Sequence, residues 1–277
     1  MKMYRFVLFS FVLVLLSWGS PTALFAAAQK ETTAAPAAAQ SAAQEAPVTI
    51  LVAAAASLEY SFVRDLIPRF QAKYPWITVE GIYDSSGRLQ TQIEAGLEAD
   101  VFMSAAVRQM NELTAKSLVA ADSVRPLLEN KIVLIKTAGI NTPVTGFETV
   151  LQAPIIALGD PASVPAGQYA REAFTSLGIW DAVSAQASFG TNVTEVLNWV
   201  GEGSAEIGVV YATDAATTDR VQVIAEAPAG SLAQKVIYPV GRTAGSAHTK
   251  EAELFIEFLA SEEGLGVFKA YGFSPNN

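Results

Sequence analysis

The chain has 277 residues, 51% of them hydrophobic, and a formal net charge of −9. That is enough apolar material for one or two domains with cores, and the acidic balance argues against nucleic-acid or anionic-membrane binding. The sequence contains no cysteine, which excludes disulfides, thiol catalysis and cysteine-based metal sites.

The first 28 residues have the pattern of a cleaved secretory signal. Lys2 and Arg5 precede an apolar run over residues 6–18, and small residues around Ala26 form an A-x-A-like site. The run is shorter than a membrane span requires. Residues 29–47 are almost all Ala, Gln, Thr, Pro and Glu, which is typical of a disordered spacer. We therefore expect an exported protein.

From residue 48 onward, strand and helix patterns alternate, which predicts an α/β fold with parallel or mixed sheets. The β-branched run at 48–52 leads to Ser57, the predicted N-cap of an amphipathic helix that Pro68 should kink. Further strands are predicted over 77–83, 100–104, 132–135, 155–158, 207–211 and 236–240. Helices are predicted over 89–95, from 105 onward, and over 165–174, 193–201, 251–260 and 263–271.

The predicted helix starts are suited to holding an anion. A helix start offers unpaired N–H groups and the positive end of the helix dipole. If the strands are parallel, these starts lie at their carboxyl ends, where open α/β sheets place ligands. These turns carry no Lys or Arg except Arg88, which suits a fully deprotonated oxyanion. The five candidate helix starts are Ser57, Ser86, Ala105, Ala166 and Val193.

Catalysis has little support in the sequence. The one histidine, His248, lies in a polar loop, and no G-x-S-x-G, Walker A or strand-linked G-x-G-x-x-G motif occurs. Acidic residues at element ends, such as Asp160 and Asp214, are expected to be cap or turn residues. Asp84 lies close to the predicted anion site, and we expect it to point away.

An ordered set of short motifs resembles the periplasmic molybdate-binding proteins of ABC importers. The set spans nearly all of the chain after residue 47, and the segment at 159–170 is its most specific member. The motifs are AAASL at 54–58, SSGRL at 85–89, QIEAG at 92–96, ADVFMSA at 99–105, GDPASVPAGQYA at 159–170, GVVYATDA at 208–215 and FKAYGF at 268–273.

This resemblance implies a type II periplasmic-binding-protein fold, an α/β architecture of two lobes with mixed sheets and two crossover strands. Lobe 1 would comprise residues 48–130 and 235–277, and lobe 2 residues 131–234. The lobes would close on a tetrahedral oxyanion held by hydroxyl, backbone N–H and phenol groups. The implied molybdate-binding residues are Ser57, Ser86, Ala166, Val193 and Tyr211, with Ala105 lining the same pocket.

The implied function is capture of molybdate or tungstate and delivery to the permease and ATPase of an ABC importer. The protein would be a periplasmic monomer and not an enzyme, without a cofactor, and molybdenum would be held as the oxyanion rather than by side-chain coordination. Gly87 and the pair Thr191-Asn192 depart from the residues expected in some relatives, which affects fine specificity.

Three alternatives remain open on the sequence. The same fold could bind sulfate, another oxyanion or a small organic acid. A secreted serine hydrolase could use Ser57 or Ser86 as its nucleophile. The chain could also be a surface interaction protein with a vestigial cleft.

Overall fold

The computed structural model describes residues 45–276, so the predicted signal at 1–28 and most of the predicted spacer at 29–47 lie outside the described residues. The strands are β1 (Val48–Ala55), β2 (Ile77–Asp84), β3 (Val101–Met103), β4 (Arg125–Asn130), β5 (Ile132–Thr137), β6 (Ile156–Gly159), β7 (Ala187–Gly190), β8 (Ile207–Tyr211), β9 (Val221–Glu226), β10 (Val236–Arg242) and β11 (Ser274–Pro275).

Most helices follow or connect these strands. They are α1 (Glu59–Ser61), α2 (Ile67–Lys73), α3 (Ser86–Glu94), α4 (Val107–Ala115), α5 (Pro165–Ser176), α6 (Trp180–Gln186), α7 (Val193–Gly201), α8 (Ala212–Ala215), α9 (Thr249–Ala260) and α10 (Glu262–Ala270). Short 3₁₀ helices lie at Ala56–Leu58, Ala121–Ser123 and Phe147–Gln152. Among the described helices, none is long and apolar enough to cross a membrane.

The strands form two mixed sheets. The first has the order β11-β4-β10-β3-β1-β2, in which β1, β2 and β3 are parallel and β10 runs antiparallel to both of its neighbours, β3 and β4. The second has the order β7-β6-β8-β5-β9, in which β6, β7 and β8 are parallel and β5 runs antiparallel to its two neighbours. The predicted α/β class with mixed sheets is confirmed.

The hydrophobic pattern explains why helices cover both faces of the first sheet. Residues of β1 alternate in direction, so Ile50 and Val52 join the main core while Ala53 joins a smaller cluster with α3 and α4 residues such as Leu89 and Met110. Phe62 and its neighbours Phe255 and Phe268 pack edge to face or tilted at about 6 Å, in the geometry that aromatic rings prefer. The main core extends without a break into the second sheet.

The helical segment after β1 is irregular. It begins as a 3₁₀ turn, continues as α1, passes through a π-helical stretch at Phe62–Leu66 and ends as α2. The π stretch comes just before Pro68, so the proline occupies the first turn of α2, where its missing N–H is tolerated. The predicted irregularity therefore takes the form of a π-bulge, a recognised cause of helix bending.

The chain passes between the two sheets twice. Lys131 separates β4 of the first sheet from β5 of the second, and residues 227–235 lead back from β9 to β10. The first sheet thus takes its strands from 48–130 and 236–275, and the second from 132–226. Whether the two halves move as separate lobes stays a prediction.

Candidate functional site

All six candidate site residues follow the carboxyl ends of parallel strands. Ser57, Ser86 and Ala105 come after β1, β2 and β3 of the first sheet. Ala166 and Val193 come after β6 and β7 of the second sheet, and Tyr211 ends β8. Because carboxyl ends of parallel strands meet at one edge of a sheet, both sheets present candidate residues at the edge where α/β proteins bind ligands.

These six residues line one small cavity. In this arrangement the cavity has room for about one water molecule. None of its described lining residues is lysine or arginine. The lining residues are Ala55, Ala56, Ser57, Asp84, Ser85, Ser86, Ala105, Val164, Pro165, Ala166, Val193 and Tyr211.

Ser57 is not the helix N-cap that the sequence predicted. It lies inside the 3₁₀ turn Ala56–Leu58, for which Ala55 occupies the cap position without a side-chain bond. The Ser57 hydroxyl instead lies 3.0 Å from the Tyr238 hydroxyl. A tertiary partner has therefore replaced the local capping bond, and the serine is held at the edge of the cavity.

Ser86 and Ala105 are joined directly. The Ala105 N–H donates to the Ser86 hydroxyl oxygen over 3.0 Å, and Ser86 is fully buried. A backbone N–H can only donate, so the Ser86 proton is left free for another acceptor. Ala105 does not start a helix as predicted, because the Ser104 hydroxyl closes a turn with Ala106 and α4 begins at Val107.

Ala166 and Val193 supply backbone donors at helix starts. Val193 is the first residue of α7 and Ala166 the second of α5, positions whose N–H groups have no partner within the helix. Among the hydrogen bonds of residues 45–276, none is donated by either of these N–H groups. Asn192 caps α7 by accepting from the Glu195 N–H over 2.9 Å, which leaves the Val193 N–H unused.

Tyr211 supplies a phenol that stays protonated. Its complete burial, reinforced by Tyr238, Tyr169 and Asp214, raises the pKa of Tyr211 well above its usual range. The hydroxyl donates a long bond of 3.4 Å to the Ala105 carbonyl oxygen. A donor engaged so weakly is available to a better acceptor in the cavity.

Two neighbouring residues that were not predicted as ligands also line the cavity. Ser85 is buried, and its hydroxyl has no hydrogen-bond partner among the described residues. Asp84 was expected to point away but belongs to the lining. Its carboxylate accepts from the Ser85 N–H over 2.7 Å and lies 3.6 Å from the Arg88 guanidinium, so its charge is partly compensated. The Ser-Ser pair at a strand end was the available sequence signal for Ser85.

Contacts beside the cavity connect the two halves of the chain. The Gly87 N–H donates to the Ser163 carbonyl oxygen over 2.9 Å. The Gln109 amide donates to the Gln168 amide oxygen over 3.2 Å. Together with the Tyr211–Ala105 bond, these contacts link α3, α4 and β3 to segments that follow β6 and β8.

The described residues offer hydrogen-bond donors rather than metal ligands. No group of three or more His, Cys, Asp or Glu within residues 45–276 is placed to hold a metal ion. The cavity instead brings together three serine hydroxyls, two helix-start N–H groups without a partner among the described residues, and a protonated phenol. Chemically, this arrangement can surround a small anion with uncharged donors.

Comparisons with known proteins agree on one family. The profile described as bacterial extracellular solute-binding protein matches residues 50–274. A Bacillus subtilis protein named as an ABC transporter substrate-binding lipoprotein is 37% identical over 227 residues, covering 82% of this chain and 86% of that protein. The molybdate-binding protein of Haemophilus influenzae is 34% identical over 230 residues, covering 81% and 89% respectively.

Solved structures agree on the fold. The periplasmic molybdate-binding protein of Azotobacter vinelandii superposes with a TM-score of 0.70 at 20% identity, covering 82% of this chain and 100% of that chain. The predicted periplasmic-binding-protein fold is confirmed by this likeness.

Proposed function

The chain belongs to the family of bacterial extracellular solute-binding proteins, and we propose from that premise that it captures molybdate and delivers it to an ABC importer. A solute-binding protein is a component of a transport system and not an enzyme, so the serine hydrolase alternative is not favoured. Membership of a family described as extracellular supports an exported location, and we propose the periplasm as the compartment of this protein. Its partners would be a membrane permease and the associated ATPase, and it would act as a monomer.

The observation that carries the proposal is the donor set of the cavity. The lining supplies serine hydroxyls, helix-start N–H groups and a phenol, without a lysine or arginine among the described lining residues. A fully deprotonated oxyanion accepts at every oxygen, so it can satisfy all of these donors at once. Each hydrogen bond to a charged group contributes about 1.5 to 3 kcal/mol, so five such bonds support tight binding after desolvation costs.

The lining of the cavity supports a small inorganic oxyanion over an organic acid, because a carbon skeleton offers no acceptor to these hydrogen-bond donors. In this arrangement the cavity has room for about one water molecule, so a ligand enters only when the surrounding segments move apart. We propose that size also favours molybdate and tungstate over sulfate. A smaller ion would leave some of the fixed donors unpaired, which is costly in a buried site.

We propose that capture is coupled to closure of the two predicted lobes, residues 48–130 with 235–277 and residues 131–234. Ser57 and Ser86 belong to the first, and Ala166, Val193 and Tyr211 to the second. An oxyanion that bridges both sets would be fully satisfied only in the closed arrangement, and its binding would shift the population toward that arrangement. The Gly87–Ser163 and Gln109–Gln168 contacts support such a closed state.

Thermal unfolding of the mature protein tests the proposal. Molybdate, tungstate, sulfate and phosphate are added separately at about 100 times a micromolar dissociation constant, where binding to the native state stabilises by about 2.7 kcal/mol. We expect a rise in Tm with molybdate and tungstate alone, and a much smaller rise in the matched variant Ser57→Ala. An equal rise with sulfate would refute size selection, and no response to any of the four would refute the oxyanion function.

A further inference from the structure

Asn130 lies at the first crossover between the sheets and has a fixed amide orientation. Its side-chain oxygen accepts from the Lys131 N–H over 2.8 Å. A backbone N–H can only donate, so the other end of the amide must be the NH₂ group. That group donates to the Thr213 hydroxyl over 2.8 Å and to the Tyr238 hydroxyl over 3.2 Å. Both amide protons are therefore used, one on each side of the crossover.

The orientation of Asn130 determines where the Tyr238 proton points. Tyr238 is fully buried, and among the described residues its hydroxyl lies within hydrogen-bonding distance of two side-chain partners, 3.0 Å from Ser57 and 3.2 Å from Asn130. Because the oxygen accepts from Asn130, the single phenol proton is left for Ser57. Burial raises the pKa of Tyr238 well above its usual range, so this proton is retained at neutral pH.

Ser57 consequently accepts from Tyr238 and keeps its own proton for the cavity. Ser86 is in the same condition, because its oxygen accepts from the Ala105 N–H. If Tyr238 instead accepted from Ser57, the serine would turn a lone pair toward the ligand and repel an anion. The direction of a single hydroxyl therefore decides whether Ser57 helps or hinders anion binding.

We propose that Asn130 is a positioning residue for anion binding, which acts through Tyr238 to direct the Ser57 hydroxyl proton into the cavity. The inference rests on the proposed oxyanion function for its effect on affinity. The chain of bonds runs from the crossover to the binding site, Asn130 to Tyr238 to Ser57, and Asn130 itself does not line the cavity.

The variant Asn130→Asp tests the direction of donation along this chain of hydrogen bonds. A carboxylate cannot donate, so Tyr238 would donate to it and accept from Ser57, which reverses the chain. We expect the Kd for molybdate, measured by isothermal titration calorimetry, to rise tenfold or more. The added charge also repels an anion, so the same substitution is made in a Tyr238→Phe background, which keeps the aromatic ring that packs on Tyr211 but removes the chain. There we expect a rise of threefold or less.

The two backgrounds distinguish an effect of hydrogen-bond direction on Kd from an effect of the added charge. Folding controls exclude a general structural effect. If Asn130→Asp raises Kd by the same factor in both backgrounds, the positioning role is overturned and the oxyanion function stands. Circular dichroism and the urea midpoint of the ligand-free variants verify folding. Should Asn130→Asp fail to fold, Asn130→Ala in the same two backgrounds replaces it. For Asn130→Ala we expect a smaller rise in Kd than for Asn130→Asp, and only in the background that retains Tyr238. An equal rise in both backgrounds would again overturn the positioning role.

A measurement without ligand tests the chain of bonds independently of the proposed function. Neutron diffraction on the deuterated, ligand-free protein locates the hydroxyl deuterons. We expect the Tyr238 deuteron to lie between Tyr238 and the Ser57 oxygen. A deuteron of Ser57 pointing at Tyr238 would overturn the inference, whether or not the protein binds molybdate.

Discussion

The Gly87 N–H donates to the Ser163 carbonyl oxygen over 2.9 Å, a bond that joins the first turn of α3 to the loop before α5. The approach is so close that a Cβ on residue 87 would lie 2.7 Å from the Ser163 Cα. Glycine is therefore required here for the two halves to meet, in the position where the resemblance to the family implies a serine in some relatives.

Gly87→Ala should weaken ligand binding without weakening the fold. The methyl group obstructs the contact with Ser163, while alanine is a better helix former than glycine in α3. We expect the Kd for molybdate to rise about tenfold, equivalent to about 1.4 kcal/mol. The matched control is Gly266→Ala in α10, where a Cβ meets nothing within 4 Å. Calorimetry that found equal affinities for the two variants would contradict the closure role of Gly87.

Tyr211→Phe should lose one charge-assisted hydrogen bond to the ligand. Such a bond contributes about 1.5 to 3 kcal/mol, so Kd should rise roughly 10- to 100-fold. The control is Tyr83→Phe, because the buried Tyr83 hydroxyl has no partner among the described residues and its removal should leave Kd unchanged. If Tyr211→Phe bound molybdate as the wild type does, its phenol would not be a ligand.

Ser86→Ala and Ser85→Ala should differ in stability. Removing the Ser86 hydroxyl leaves the Ala105 N–H without its acceptor, which should lower the free energy of unfolding by about 1 to 3 kcal/mol. The Ser85 hydroxyl has no partner to lose, so Ser85→Ala should be neutral or slightly stabilising. Urea denaturation of the ligand-free proteins measures the free energy of unfolding of both variants. An equal decrease in the two would contradict the hydrogen bond from the Ala105 N–H to Ser86.

Asp214 should make stability depend on pH. Burial raises the pKa of Asp214 from 3.8 to about 7, and the Tyr211 N–H only partly offsets this. Well below pH 3.8 the carboxyl is protonated in both the folded and unfolded states. As pH rises from 4 to 7, only the unfolded chain releases the proton, so the free energy of unfolding falls by roughly 4 kcal/mol.

The substitution Asp214→Asn removes this titration while keeping an acceptor for the Tyr211 N–H. We expect the variant to gain stability relative to the wild type at pH 8 but not at pH 4. The matched control is Asp219→Asn at an exposed site, which removes the same charge without removing a buried carboxyl. Chemical denaturation at a series of pH values measures the free energy of unfolding of each protein. If that free energy depended on pH in the same way for the wild type and Asp214→Asn, the prediction would be contradicted.

Local patterns in the sequence located the regular elements well where apolar runs have clear boundaries. The strand predicted at 207–211 coincides with β8, and the helix opened by Pro165 ends just before Gly178, whose φ of 71° stops it. The strand β4 was missed because its sequence, RPLLEN, shows neither alternation nor a long apolar run. The four-residue α8 is too short to produce a helical period.

The candidate site was predictable in its members but not in its bonds. All six predicted residues line one cavity. Five of them were predicted as helix starts, which local pattern encodes, whereas Tyr211 was implied only by the resemblance to the family. The partner of Ser57 is not encoded locally, since Tyr238 lies 181 residues further along the chain. The preference for serine at helix N-caps could only predict that the Ser57 hydroxyl bonds to the helix that follows it. The role of Asn130 likewise depends on Thr213 and Tyr238, which lie 83 and 108 residues further along the chain.

The absence of formal positive charge among the described cavity lining has a consequence for behaviour in salt. Screening by dissolved ions weakens interactions between exposed charges over roughly 10 Å at 0.1 M salt, and it acts little on bonds inside a closed cavity. The whole protein, at −9, repels an approaching dianion, and added salt reduces that repulsion. The association rate should therefore increase with ionic strength while the dissociation rate stays constant, so that capture would be fastest in saline surroundings.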